Sequence, residues 1–406
     1  YFMPYSGSVS LLSDKLEKKL LSWAAIGLLV FVSAFLWSPS RDGLQGIYAL
    51  AFFIPMLIVL LLRKPGFAEY GNWLTLSALT YSFFAALSSL WGNAADFPFF
   101  AAQWLILAVW LCGSSLVVKA GLVNPEKFLT AFITFGVVII LISILYYHRF
   151  LHGHTTTEIR LYGWNVFRNA NELGAMCGAI ALLSFVSALN NDNSAKKMWL
   201  FYLLMILSLS GLVLSWSRSA MLAFVCVGMI SICIFRPKLS RLFPLAIIGI
   251  VSIAIAILTK DYHGFDLQRY LERGEWDSGR FVIWQEVVTR SRDHFLFGLG
   301  LARDTNITLS NTTVLNHAHN AWLDTFYRTG LLGLALLCVH IYFLVRSFSR
   351  SPYLFALYMW LLYGCVCSMF DGRIFFWEMG AKWFLYWIPA GLIAASQINA
   401  AMKKTT

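Results

Sequence analysis

The chain has 406 residues, 59% hydrophobic and only 13% charged, with a mean hydropathy of +0.68. A soluble domain carries about 25% charged residues, so a water-soluble globular enzyme is excluded and a polytopic membrane protein is indicated. The formal net charge of +11 reports membrane topology and gives no reason to expect nucleic acid.

In chain order, apolar runs long enough to span a bilayer fall at 20–37, 46–62, 73–91, 99–118, 126–147, 172–189, 198–216, 219–235, 242–259, 330–346, 352–370 and 380–399. The first follows a charged stretch and lacks a small-residue cleavage site, so it reads as a span rather than a removed signal peptide. Pro55, Pro244 and Pro389 fall inside runs, which membrane helices tolerate. The expectation is an all-α protein of about twelve transmembrane helices, residues 1–406 forming a single integral membrane domain.

Placing the N-terminus in the cytoplasm puts sixteen basic and five acidic residues on that side. The remaining fifteen basic and fifteen acidic residues then lie outside, as the positive-inside rule expects. Three polar loops fall on the outer side, at 148–171, 260–329 and 371–379. The loop 260–329 is too long for a passive connector. It contains an expected amphipathic helix near 280–291, with Phe281, Trp284, Val287 and Val288 on its apolar face. Residues 294–302, H-F-L-F-G-L-G-L-A, read as a glycine-broken apolar turn. The seven cysteines all fall inside expected spans and form no disulfide framework or zinc pattern.

Chemistry concentrates in N-H-A-H-N-A-W-L-D-T-F-Y-R-T-G-L-L-G, residues 316–333. Helical spacing of His319, Leu323, Phe326 and Gly330 places His319 in the first turn of the helix that becomes the tenth span. A neutral imidazole there can accept a proton near neutral pH. His317 and Asn320 are candidate substrate contacts, Asn320 by orienting a sugar hydroxyl or the imidazole. Asp324 is five residues on and need not touch His319. Arg218, in S-W-S-R-S-A between two apolar runs, is costly at membrane depth unless it meets a cavity or an anion. Arg280 opens the amphipathic helix after Ser278 and Gly279, where free N–H groups would reinforce a phosphate site. Arg160, Arg168, Arg328 and Arg373 are further candidates for holding phosphate, as is Lys382. Trp164, Trp322 and Trp377 suit either sugar stacking or the interfacial belt. No D-x-D or C-x-x-C spacing is present, and no metal and no cofactor is expected.

The pattern H-N, nine residues, G-L-L-G (319–333) resembles the signature of the lipopolysaccharide O-antigen ligases, within the O-antigen ligase and polymerase superfamily of bacterial inner membranes. The long outer loop before it, Arg218 at the end of a mid-chain span and Arg280 in G-R-x-x-x-W add to the likeness. The resemblance implies a glycosyltransferase similar to other membrane enzymes with lipid-phosphate donors (GT-C-like). It would move O-antigen from undecaprenyl diphosphate to a sugar hydroxyl of lipid A–core at the periplasmic face, with inversion and without metal. It makes His319 the general base, Arg218 and Arg280 the diphosphate ligands, and Gly330 and Gly333 structural parts of the motif. Two relatives stay open, O-antigen polymerases and protein O-oligosaccharyltransferases. No arginine has a glycine eleven positions on, as many polymerases do. A polyprenyl-glycan transporter is the reading from another class. It would require polar residues along a path through the bundle.

Overall fold

In a bilayer every backbone N–H and C=O needs an internal partner, so long apolar runs close into helices. The computed structural model describes residues 13–63, 71–146, 160–247, 280–303, 307–308, 314–315 and 317–402. Its long helices are α1 (Asp14–Trp37), α2 (Arg41–Tyr48), α3 (Ile54–Arg63), α4 (Trp73–Leu87), α5 (Phe97–Lys119) and α6 (Pro125–Tyr146). They continue with α7 (Ala170–Leu189), α8 (Ala195–Ser215), α9 (Arg218–Phe235), α10 (Arg280–Ser291), α11 (Ala321–Arg346), α12 (Pro352–Ser368) and α13 (Ile388–Met402). The protein is an all-α polytopic membrane protein. Among the described residues the only strands are the two-residue β1 (Ile307–Thr308) and β2 (Val314–Leu315), paired antiparallel.

Nine helical segments among the described residues are long and apolar enough to cross a membrane, α2 and α3 counting as one. They match the first eight expected spans and the tenth. The expected span at 352–370 is the shorter helix α12. That at 380–399 begins as a π-helical turn, Trp383–Trp387, and continues as α13. Most of the expected span 242–259 lies outside the described residues, as do 260–279 of the large loop.

Two of the prolines shape the bundle in the same way. Proline has no N–H, and its ring collides with the carbonyl four residues back. Before Pro55 the chain widens into a π turn, Ala49–Phe53, and Ile54 N–H bonds to Ala49 O. Before Pro389 it widens at Trp383–Trp387, and Ile388 N–H bonds to Trp383 O. Each π turn relieves the collision and frees a carbonyl, Ala51 O and Leu385 O respectively. A glycine of a neighbouring helix closes on each. A Cβ on Gly27 of α1 would lie 1.8 Å from Ala51 O, and one on Gly364 of α12 would lie 2.0 Å from Leu385 O. Only a residue without Cβ permits that approach, the small-residue packing common between membrane helices.

α7 is the central helix, with 89% of its membrane-length window buried. Gly174, Ala175, Gly178, Ala179 and Ala181 line it, and α8, α9 and α12 pack against it. Its first turn, together with the starts of α2, α9 and α11 and the turn after α12, forms one polar end of the bundle.

Candidate active site

His319 lies just outside the helix that its spacing had placed it in. Asn320 is the cap: its Oδ1 accepts hydrogen bonds from Trp322 N–H and Leu323 N–H, both at 3.0 Å, and α11 starts at Ala321. Capping occupies the amide oxygen, which leaves the amide nitrogen of Asn320 for any contact to substrate or imidazole. His319 precedes the cap with φ +49°, a left-handed backbone that costs a residue with Cβ about 1–2 kcal/mol. In that conformation His319 Nδ1 stands 3.2 Å from Asp371 Oδ1.

The G-L-L-G end of the motif does separate work. At Gly330 (φ 66°, ψ −168°) α11 breaks its helical path, in a region open essentially to glycine alone. The break releases carbonyls and N–H groups that must be paired elsewhere, and the turn at 294–302 pairs them. Leu299 and Gly300 donate to Tyr327 O and Arg328 O, while Leu331 and Leu332 donate to Phe295 O and Leu296 O. A Cβ on Gly330 would sit 2.3 Å from Leu296 O. The two glycine-containing motifs are one interlocked unit.

Inside that unit Arg328 is consumed. It is 2% exposed, its Nε donates to Asp324 Oδ2 at 2.9 Å, and its NH1 donates to Leu301 O and Arg303 O. Asp324, fully buried, also accepts from Ile374 N–H and Ala318 N–H. Arg328 therefore has a structural role, with its Nε and NH1 engaged inside the protein. Asp324 makes none of these bonds with His319. Trp322 is likewise occupied: its Nε1 donates to Cys365 O and its ring packs edge-on against Phe375.

A cavity of about 480 Å³ opens at this end of the bundle, within the size range of small-molecule sites. His317, His319, Asp371, Arg373, Trp377 and Lys382 line it, with Arg41, Glu378, Asn169, Asn171, Glu172 and Ser219 around them. Lys382 Nζ bonds Ser368 Oγ and Asp371 O, which fixes the turn carrying Asp371. Arg373 lies over the Trp377 ring, 5.0 Å from its centroid, and Arg328 lies over the same ring at 5.5 Å. Arg41 and Glu378 form an ion pair.

The titratable groups are held in opposite senses. Burial alone would raise the Asp371 carboxyl, but the His319 hydrogen bond and the charges of His319, Lys382 and His317 outweigh it and bring it to about 2. Burial, then the neighbouring His319, lowers His317 to about 4, so His317 is neutral at neutral pH. The two imidazole rings lie 4.1 Å apart. Burial, then Arg328, lowers the Arg373 guanidinium.

The other expected arginines fall into different places. Arg160 bonds Ser215 O and Asn171 Oδ1, and Arg168 bonds Pro39 O. Both tie the segment before α7 to its neighbours. Arg218 and Arg280 are the first residues of α9 and α10 and are not among the residues lining the cavity, although Ser219 is. Ser278 and Gly279 lie outside the described residues. α10 buries Ile283, Val287 and Ser291 and exposes Phe281, Val282 and Val288, so its packed face is rotated from the expected one. Trp284 Nε1 donates to Ala318 O and joins α10 to the histidine motif.

The sequence did not place Asp371, Glu172 or Arg41 at the site. The D-G-R triplet between two apolar runs was the available clue. No metal is expected from the sequence. The fold nevertheless brings ligand atoms of His317, His319 and Asp371 within 4.8 Å of one another, a set able to hold a cation.

Residues 203–338 match a family model described as O-Antigen ligase. The stretch contains Arg218, Arg280, His319 and the G-L-L-G turn, and stops before Asp371, Arg373 and Lys382. Over 126 residues the chain is 33% identical to an O-antigen ligase of Pseudomonas aeruginosa, covering 30% of this chain and 31% of that protein. The match thus spans about a third of the length of that relative. The family-model match includes the histidine motif, and this part of the polytopic membrane protein is similar to O-antigen ligases.

Proposed function

We propose that the protein is a glycosyltransferase that moves O-antigen from undecaprenyl diphosphate to a sugar hydroxyl of lipid A–core, in lipopolysaccharide biosynthesis. The observation that carries the reading is the His319–Asp371 pair at the wall of a polar cavity that Arg41, Arg373 and Lys382 also line, at one end of the bundle. With Nδ1–H directed to Asp371, Nε2 of His319 presents its lone pair to an acceptor hydroxyl. His319 takes that proton as the oxygen attacks the anomeric carbon. The bond to the diphosphate breaks, and the configuration inverts. Arg373 and Lys382, with Arg218 and Arg280 at the neighbouring helix starts, offset the charge on the leaving diphosphate. Because the donor bond already holds the energy, positioning, a base and charge stabilisation suffice, without metal or cofactor.

The charge distribution supports a cytoplasmic location for both termini and a periplasmic site in a Gram-negative inner membrane. The large loop 260–329 would lie on the same side. The test is transfer by purified protein from undecaprenyl-diphosphate glycan to lipid A–core, with EDTA, comparing wild type and His319→Ala. Product from wild type and none from a folded mutant supports the reading. An equally active mutant removes His319 as base. Activity lost to EDTA and restored by a divalent ion would move the chemistry to a metal on His317, His319 and Asp371. Elongated donor in place of transfer would point to a polymerase, and glycosylated peptide to a protein O-oligosaccharyltransferase. Movement of lipid-linked glycan between compartments without product would point to a transporter.

A further inference from the structure

At the end of the bundle opposite the His319 cavity, a second cavity of about 520 Å³ opens between the starts of α6, α8 and α12 and the end of α7. Lys127 and Lys197 line it, with Glu126 the one carboxylate among its lining residues. The backbone holds both lysines in place. Lys127 N–H is capped by Asn124 Oδ1, and Lys197 N–H by Ser194 Oγ. Behind the wall, Arg241 NH2 donates to Asn191 O and Asn193 O, while its NH1 is buried without a hydrogen-bond partner. Asn193 itself lines the cavity.

On the other side of α6 a groove of about 460 Å³ runs between α6 and α1. Leu29, Phe128, Phe132 and Phe135 line it, and it shares Asn124, Lys127 and Ala131 with the cavity. From Asn124 to Phe135 the helix rises roughly 16 Å, enough to seat much of an acyl chain. A positive crevice at a helix-end level, continuous with an apolar groove on a membrane-spanning face, is complementary to one molecule class. We propose that it binds an anionic glycerophospholipid of the surrounding bilayer, with the phosphate between Lys127 and Lys197 and one acyl chain along the α1–α6 groove. The inference stands apart from the proposed enzymatic reaction, since it uses none of its residues.

The test is thermal unfolding and native mass spectrometry of the full chain in neutral detergent, titrated with phosphatidylglycerol, phosphatidylcholine or inorganic phosphate. Phosphatidylglycerol is expected to raise Tm and to remain as one bound copy per chain, while the other two do neither. A surface lysine near anionic lipid contributes about fivefold in affinity, so Lys127→Gln with Lys197→Gln should weaken binding about twenty-five-fold. Lys18→Gln with Lys19→Gln, exposed on the first turns of α1 outside the crevice, should leave binding intact. Ala131→Trp, at the junction of cavity and groove, should abolish it without changing charge. Equal effects of phosphatidylcholine or free phosphate would overturn the proposal. So would undiminished binding by the Lys127/Lys197 variant, or an equal loss in the Lys18/Lys19 variant.

Discussion

Two aspartate pairs lie in the same corner of the protein and differ in what they leave open. Asp324–Arg328 is sealed, with side chains 0% and 3% exposed, and Arg328 Nε and NH1 and the N–H groups of Ala318 and Ile374 all point at protein acceptors. Asp371–His319 is a quarter or more exposed on both sides and opens on the cavity. The first pair is buried away from the cavity and holds α11 to the turns at 301–303 and 374. The second leaves one imidazole nitrogen unclaimed by Asp371. What separates the two pairs here is hydrogen-bonding capacity facing a cavity, since each joins an aspartate to a basic residue of the 316–333 motif.

The contrast can be broken most directly at the sealed pair. Asp324→Ala leaves Arg328 buried without its carboxylate and should destabilise the protein by about 3–5 kcal/mol, seen as loss of folded protein or a large drop in Tm in detergent. A near-normal Tm would contradict the structural role. Asp371→Asn should do the reverse. Transfer should fall about a hundredfold, the lower end of what a positioned base contributes. Stability should fall by less than for Asp324→Ala, because Asp371 is a quarter exposed while Asp324 is fully buried. A mutant that unfolds but, when folded, turns over normally would invert the assignment.

Gly330→Ala probes the seal from its other side. It places a Cβ against Leu296 O and forces an L-residue into a glycine-only backbone, so roughly 1–3 kcal/mol should be lost. Hydrogen exchange should then rise at Leu299, Gly300, Leu331 and Leu332, whose N–H groups bridge the break. Unchanged protection would mean that the helix and turn are not interlocked.

The smallest effect is a pH dependence. The His317 pKa is lowered to about 4 in the fold from about 6.5 when unfolded, so the unfolded chain binds more protons between these values. Stability attributable to this group should therefore fall as pH drops from about 6.5 towards 4. Asp371 acts lower: its stabilising share, complete above about 3.8, is lost as pH falls towards about 2. Melting curves between pH 7 and 4 should show a shallower loss for His317→Gln than for wild type. Parallel curves would remove the burial argument.

Much of the fold was legible in the chain because membrane insertion is decided by local length and apolarity. Eight of the expected spans recur as helices of nearly the same limits, and the prolines at 55 and 389 marked irregular turns. The site was legible only in part. His319 stood out because an imidazole beside a long apolar run is chemically conspicuous. Asn320, Trp322 and Arg328 shared its motif and looked alike, yet Asn320 caps α11, Trp322 bonds a neighbouring backbone carbonyl, and Arg328 is bound to Asp324.

Composition and periodicity by themselves determined that the chain is a bundle of membrane helices, which side is richer in positive charge, and where a proton acceptor could stand. The tertiary structure decided which polar groups remain available. Pairing depends on through-space neighbours such as Asp371 and Ile374, about fifty residues beyond the motif they complete, and no local spacing rule reaches that far.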